Sequence, residues 1–344
     1  MKRSEEGIRL AHMAVNPDTV RRLVTDHDAG GALSRLRRRD TTPQAARDGT
    51  GTSADARLSG LEELGVHMVF DEEPGYPEWL RDLPDHPLWL FVKGTVPSVP
   101  GVAVVGSRRA TRYGLDLARE IGRRVATAGW DVVSGLAAGI DTMSHVGCLD
   151  AGGLTTAVLG SGIDVWYPRG NARLGERIVA AEGCIVSEFP PGTIPEPWRF
   201  PARNRIISGL AEVVIVVEAA VRSGALITAR LAVDQGRFVM AVPGDLARAT
   251  SEGANLLIRD GAHPLTDLSA LIEELELVMG PAPASQDATS GEGDRLLDVL
   301  GSGSLTIEEL VDVCDMPISE VVNRIAALEI EGMVVRTDGR IVCA

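Results

Sequence analysis

The sequence predicts an α/β protein: an extended Rossmann-like, doubly wound and mostly parallel sheet, with an N-terminal helical region and a small C-terminal winged-helix-like domain. Three observations carry this. From Val102 onward, short β-branched runs alternate with helical patterns. The runs are continuously apolar rather than alternating, as in strands covered on both faces. Residues 294–344 read as three helices followed by two short strands around "TDG".

Taken in order, residues 1–60 hold helical fragments such as "PDTVRRLV" and "GALSRLRRR", then the polar stretch "DTTPQAARDGTGTSADA", which has linker composition. "YPEWLRDLPDHPLWLFVKG" sets prolines among aromatics and predicts an extended piece lying against a larger domain, which spans 61–279. Within it "VAVVG" precedes a helix around Tyr113–Ala128, and "WDVVSG" one over Asp141–Ala151. "TTAVLG" precedes Asn171–Ala181. "CIVSEF" leads through a loop to a helix around Arg203–Leu210. "VVIVVEA" precedes Ser223–Gln235, and "RFVMAVPG" follows. Residues 280–293 have linker composition. The helix–turn–helix rhythm of 294–344 suits a winged helix, but its third helix carries Arg324 among Glu320, Glu329 and Glu331. A protein-contact or structural role is expected there rather than DNA binding.

Composition narrows the classes. Of 344 residues 44% are apolar, enough for a sizeable core, but only 4% are aromatic. The scattered cysteines Cys148, Cys184, Cys314 and Cys343 form no C-x-x-C pair, which favours a reducing compartment over a disulfide framework or a cysteine zinc site. The opening "MKRSEEGIRLAHMAV" lacks the apolar core of a secretory signal, and no run is long enough to span a bilayer, so a cytoplasmic location is expected. Between Asp267 and Ala344, 16 acidic residues face 4 basic ones, a net of −12 that leaves −2 of the chain's −14 for everything before it. The basic charge is nearly all arginine, which suits forked phosphate contacts but also follows from GC-rich codons.

Parallel sheets bind ligands at the carboxyl ends of their strands, where this chain places its Gly/Ser/Arg loops. "GSRRATRYG" supplies Gly106 for close approach, the Ser107 hydroxyl, and Arg108 and Arg109 as charged donors, at the start of a helix that favours anions. The plainer alternative is an ordinary turn with solvated arginines. "SGLAAGID" brings Ser134, Gly135 and Gly139 to a second loop; Asp141 is read as a helix cap and His145 as a packed residue rather than as metal ligands. In "WRFPARNR" Trp198 and Phe200 interleave with Arg199, Arg203, Asn204 and Arg205, the pairing of rings and forks that suits single-stranded nucleic acid. Against that stands a reading with core aromatics and arginines paired to acids. Ser223 and Gly224 open another helix, and Arg169 and Asn171 follow the third strand. Loops converging on one sheet edge fit an elongated polyanion. No Gly-Lys pair, G-x-G-x-x-G or G-x-S-x-G occurs, so nucleotide-hydrolysing, dinucleotide-binding and nucleophile-elbow chemistry find no support, and neither cofactor nor metal is expected.

These motifs in this order, with "AVLGSGIDVWYP", "SEFPPG" and "GANLLIRDGA", closely resemble the DNA-processing protein A family (DprA/Smf) over about residues 65–265. The resemblance implies a non-enzymatic binder of single-stranded DNA. Such proteins protect incoming strands in natural transformation, help load the RecA recombinase, and are commonly homodimers. It maps the family's Gly-Ser-Arg arginine onto Arg108 and its Phe-Pro-x-Arg-Asn-Arg motif onto Phe200, Pro201, Arg203, Asn204 and Arg205. It also implies a sterile-alpha-motif-like domain in front, although residues 1–60 show no helix-hairpin-helix glycine motif. An alternative class is the Rossmann-like nucleotide phosphoribohydrolases, but their Pro-Gly-Gly-x-Gly-Thr loop and catalytic Glu are replaced here by "RSGALITAR". A third reading is a protein adaptor acting through the acidic tail.

Overall fold

In the computed structural model the described residues are 1–13, 15–39, 53–283, 299–300, 303–314, 318, 321–322, 325, 328–329, 334–337 and 340–343. Helices α1 (Glu5–Ala11), α2 (Pro17–Asp26), α3 (Ala29–Arg39) and α4 (Ala54–Glu63) come first. Ser4, Asn16 and Ser53 cap three of them through side-chain oxygens that accept backbone N–H groups. The sheet then starts with β1 (His67–Phe70), the short α5 (Glu78–Arg81) and β2 (Trp89–Gly94). The proline-rich stretch, expected to be an extended piece lying against the domain, instead forms a short helix and then a strand of the domain's own sheet. β2 runs antiparallel to both β1 and β6 (Cys184–Ser187).

From there strands and helices alternate: β3 (Gly101–Val105), α6 (Arg112–Thr127), β4 (Val132–Ser134), α7 (Ile140–Asp150), β5 (Thr155–Leu159), a 3-10 turn (Arg169–Asn171), α8 (Ala172–Ala180), then β6. The second half is α9 (Arg199–Gly209), β7 (Ala211–Val216), α10 (Gly224–Asp234), β8 (Phe238–Ala241), α11 (Ala249–Arg259), β9 (His263–Pro264) and α12 (Leu271–Met279). Strand order in the nine-stranded sheet is β1-β2-β6-β5-β4-β3-β7-β8-β9, and β6 through β9 are parallel.

Both faces of this sheet are covered, which is why its strands read as unbroken apolar runs. Successive side chains alternate between two cores. Leu90, Val92, Val158 and Val186 join Ile206, Ile207 and Ala229 on one face. Trp89, Phe91, Ala157, Leu159 and Ile185 meet Leu10, Leu33, Leu61 and Ile178 on the other. The N-terminal helices therefore pack on the same sheet, and Met1–Gly280 is one compact unit.

Two helix starts differ from the sequence expectation. The helix expected from Arg203 begins at Arg199, with Pro201 in its first turn, where a missing N–H costs nothing. Gly139, not Asp141, is the cap residue of α7, and the Asp141 carboxylate accepts instead from the preceding loop's Gly135 and Ala137 N–H groups.

Pro281–Ala344 forms a second unit. Its described elements are α13 (Ile307–Cys314) and the antiparallel pair β10 (Val334–Thr337) and β11 (Arg340–Cys343), around Leu310, Cys314, Val321, Ile325 and Ile341. Residues 40–52, most of the expected linker at 280–293, and Glu320, Arg324 and Glu331 lie outside the described residues. No helix among the described residues is long and apolar enough to cross a membrane.

Candidate functional site

The chain winds from β3 outward through β4, β5 and β6, then returns to set β7 on the other side of β3. At such a reversal the two following loops part in opposite directions and leave a crevice at the strands' carboxyl ends. Here it is a cavity of about 850 Å3. Its walls are the loop after β3, the loop after β7, one face of α9, and Asp141 and Tyr167.

The loop after β3 is held tightly. A Cβ on Gly106 would lie 2.6 Å from Ile140 Cγ1 and 2.9 Å from the Glu218 carbonyl oxygen, so only glycine fits. The Ser107 N–H donates to that same carbonyl at 2.7 Å, and the Ser107 hydroxyl accepts from the Arg109 N–H at 3.1 Å. The turn is therefore fixed from within, and it leaves Arg108 and Arg109 exposed on the cavity wall. These side chains, rather than the Ser107 N–H, are what the loop offers a ligand.

Arg108 sets its guanidinium 4.9 Å from the centroid of the Phe200 ring. That ring in turn lies 5.2 Å from Tyr167, tilted by 40°, and Tyr167 is 42% exposed. A cation over an aromatic face keeps its outer edge free for an anion. Phe200, Arg203, Asn204 and Ile207 line the cavity together because residues spaced by three and four share one face of a helix.

Beneath them the polar groups are mostly satisfied. Arg203 is 3% exposed; its Nη1 donates to the Gly135 carbonyl at 3.0 Å. Burial lowers its pKa to about 10, against the attraction of Asp141, so it stays charged at neutral pH. Burial raises the Asp141 carboxyl, while Arg203 and the two loop N–H groups oppose that rise. A Cβ on Gly135 would sit 2.6 Å from Arg203 Nη2, so any larger residue there displaces the guanidinium. Asn204 donates to the Gly224 carbonyl at 3.3 Å, and Ser223 caps α10 by accepting from the Ala225 N–H at 3.3 Å. The N-terminus of α10 thus opens on the cavity beside Arg222, adding the partial positive charge of a helix start.

Of the residues singled out from sequence, Gly106, Ser107, Arg108, Phe200, Arg203, Asn204, Ser223 and Gly224 meet at this cavity. Five do not. Ser134 is fully buried and donates to the Val104 carbonyl at 2.7 Å. Gly135 lies under Arg203. Arg169 is exposed at the 3-10 turn but is not on the cavity wall. Arg199 is stacked between Phe189 and Trp198, 5.0 and 4.9 Å from the ring centroids, and paired with Glu196 at 3.2 Å. Arg205 is buried against Glu188 at 2.7 Å and also donates to the Asp85 carbonyl. For these two arginines the acid-paired alternative describes the structure. Tyr167 and Arg222 were not singled out as site residues, though Arg222 directly precedes the Ser223 cap and Tyr167 opens "YPRGN". His145 is packed as expected, its Nδ1 2.7 Å from the Thr155 hydroxyl. Among the described residues no group of His, Cys, Asp or Glu could hold a metal ion.

The fold and the site together define a Rossmann-like α/β unit whose sheet reversal carries a crevice lined by guanidinium groups and aromatic rings. The family model described as DNA recombination-mediator protein A matches residues 67–276, and the DprA winged helix domain matches 280–340. The chain belongs to this family, DprA/Smf. It is 36% identical over 298 residues to Protein Smf of Escherichia coli, covering 83% of this chain and 80% of the relative. It is 40% identical over 221 residues to DNA processing protein DprA of Bacillus subtilis, covering 63% and 74%. The X-ray structure of DprA from Streptococcus pneumoniae superposes with a TM-score of 0.66 at 34% identity, covering 80% of this chain and 99% of that one. DNA processing protein A from Helicobacter pylori, whose structure is described for its single-stranded DNA binding mode, gives a TM-score of 0.55 at 28% identity over 61% and 95%.

Proposed function

We propose that the chain binds single-stranded DNA in the cavity between the β3 and β7 loops and acts as a recombination mediator, without transforming the strand. The observation that carries this is the placement of Arg108 over Phe200 at the cavity wall. Guanidinium groups neutralise phosphates, and the Phe200 and Tyr167 rings offer faces to bases that a duplex keeps stacked away. The family's description as a recombination mediator and the Helicobacter pylori relative's single-stranded DNA binding support the same reading. Protection of the strand, loading of RecA onto it and action as a homodimer complete the proposal through family membership.

An electrophoretic shift with single- and double-stranded DNA of equal length, across a salt series, tests it. The single strand binds more tightly, with little sequence preference and a steep loss as salt rises. Equal or stronger binding of the duplex contradicts the reading.

A further inference from the structure

A second cavity, of about 490 Å3, opens on the same carboxyl edge of the sheet on the β7–β8 side. We infer that it is a nucleobase pocket for the strand whose phosphates lie in the first cavity, with Tyr113 as its stacking platform; this rests on the function proposed above.

The two cavities share a wall. Arg109 lines the first and Thr111 the second, two residues and therefore at most about 7 Å of backbone apart. A strand leaving the Arg108 side has only this turn to cross. The turn is rigid: Glu218 Oε2 accepts from the Thr111 N–H at 2.9 Å and Oε1 from its hydroxyl at 2.5 Å.

Charge distinguishes the two sites. Where the first cavity sets Arg108, Arg109, Arg203 and Arg222 against Asp141 alone, the second sets Arg248 alone against the Glu218 carboxylate, 6% exposed, and Asp245. Those acids repel phosphate, so the uncharged part of a nucleotide is what fits. Val217, Val242 and Pro243 give it an apolar lining. Tyr113 stands 63% exposed beside that lining, a large ring with no burial to account for it. Glu218 keeps unused lone pairs that accept the N–H groups of a base edge. Arg248, paired with Asp245 at 3.4 Å and like it about 60% exposed, offsets only one of the two acids.

The test uses the full chain, fluorescence anisotropy, and labelled oligodeoxythymidylates of increasing length, with Tyr113→Ala, Tyr113→Phe and Arg108→Ala. Wild-type affinity rises once the oligonucleotide is long enough to reach past the first cavity. Tyr113→Ala removes that rise, an approximately ten-fold loss on long strands and none on the shortest. It leaves the salt dependence unchanged, and Tyr113→Phe restores the affinity. If Tyr113→Ala matches wild type at every length while Arg108→Ala binds weakly, the second pocket is refuted and the first stands. If the wild type does not bind these strands, or Arg108→Ala binds as tightly as wild type, the functional reading fails and takes the inference with it.

Discussion

The guanidinium of Arg108 lies 4.9 Å from the ring centroid of Phe200, joining the loop after β3 to the first turn of α9 across the cavity. One element supplies charge and the other a stacking face, and each orients the other. Their contributions to binding are therefore coupled.

Phe200→Ala removes a stacking surface worth about 1–3 kcal/mol per base and frees the Arg108 side chain. Anisotropy titrations of the two single variants and the double variant should show a smaller combined loss than the sum, by at least about 0.5 kcal/mol. Strict additivity would show that the rings and forks act independently.

Arg205 predicts the opposite kind of outcome. It is fully enclosed, donating to Glu188 at 2.7 Å, to the Asp85 carbonyl at 2.8 Å and to the Ala202 carbonyl at 2.9 Å. Arg205→Ala strands the Glu188 carboxylate, 4% exposed, and should cost about 3–5 kcal/mol in denaturant unfolding. The fraction that remains folded should bind DNA with near wild-type affinity. A selective loss of binding with unchanged stability would return Arg205 to the interface.

His86 gives the structure a pH signature away from the cavity. Its Nδ1 lies 2.8 Å from the Leu83 carbonyl and its Nε2 3.1 Å from the Asp71 carboxylate. Both partners are acceptors, so these contacts favour the ring form that donates from both nitrogens, the cation. The Asp71 hydrogen bond raises its pKa above 6.5, against the opposing effect of burial. A raised folded value means the stabilisation is complete below about pH 6.5 and fades as pH rises through the folded value. The stability difference between wild type and His86→Gln should therefore shrink as pH rises from 6 to 9. A difference independent of pH would show that the ring is neutral throughout.

The sheet was legible because continuous apolar runs have one common explanation, burial on both faces. The site was legible in part. Arg203 and Arg205 carry the same side chain two residues apart, but on a helix they point about 200° from each other. One reaches the cavity and the other Glu188. Reading "WRFPARNR" as a loop before a helix at Arg203 hid this. With the helix starting at Arg199, the spacing of Phe200, Arg203, Asn204 and Ile207 marks the cavity face directly. Ser134 and Gly135 were misplaced for a different reason. A strand end can turn its small residues toward the protein as well as toward a ligand, and only the bonds to Val104 and Arg203 tell which.

Whether Arg108 holds the strand at this cavity is decided by titrating a labelled single-stranded oligonucleotide with wild type and Arg108→Ala across a salt series, alongside their melting temperatures. The Arg108 side chain is exposed and packs on the Phe200 ring at the cavity wall, so little of the fold rests on it. Arg108→Ala should bind at least about ten-fold more weakly, with a log–log salt slope shallower by about 0.7 and a melting temperature nearly unchanged. Equal affinity and slope for the two proteins would contradict that role.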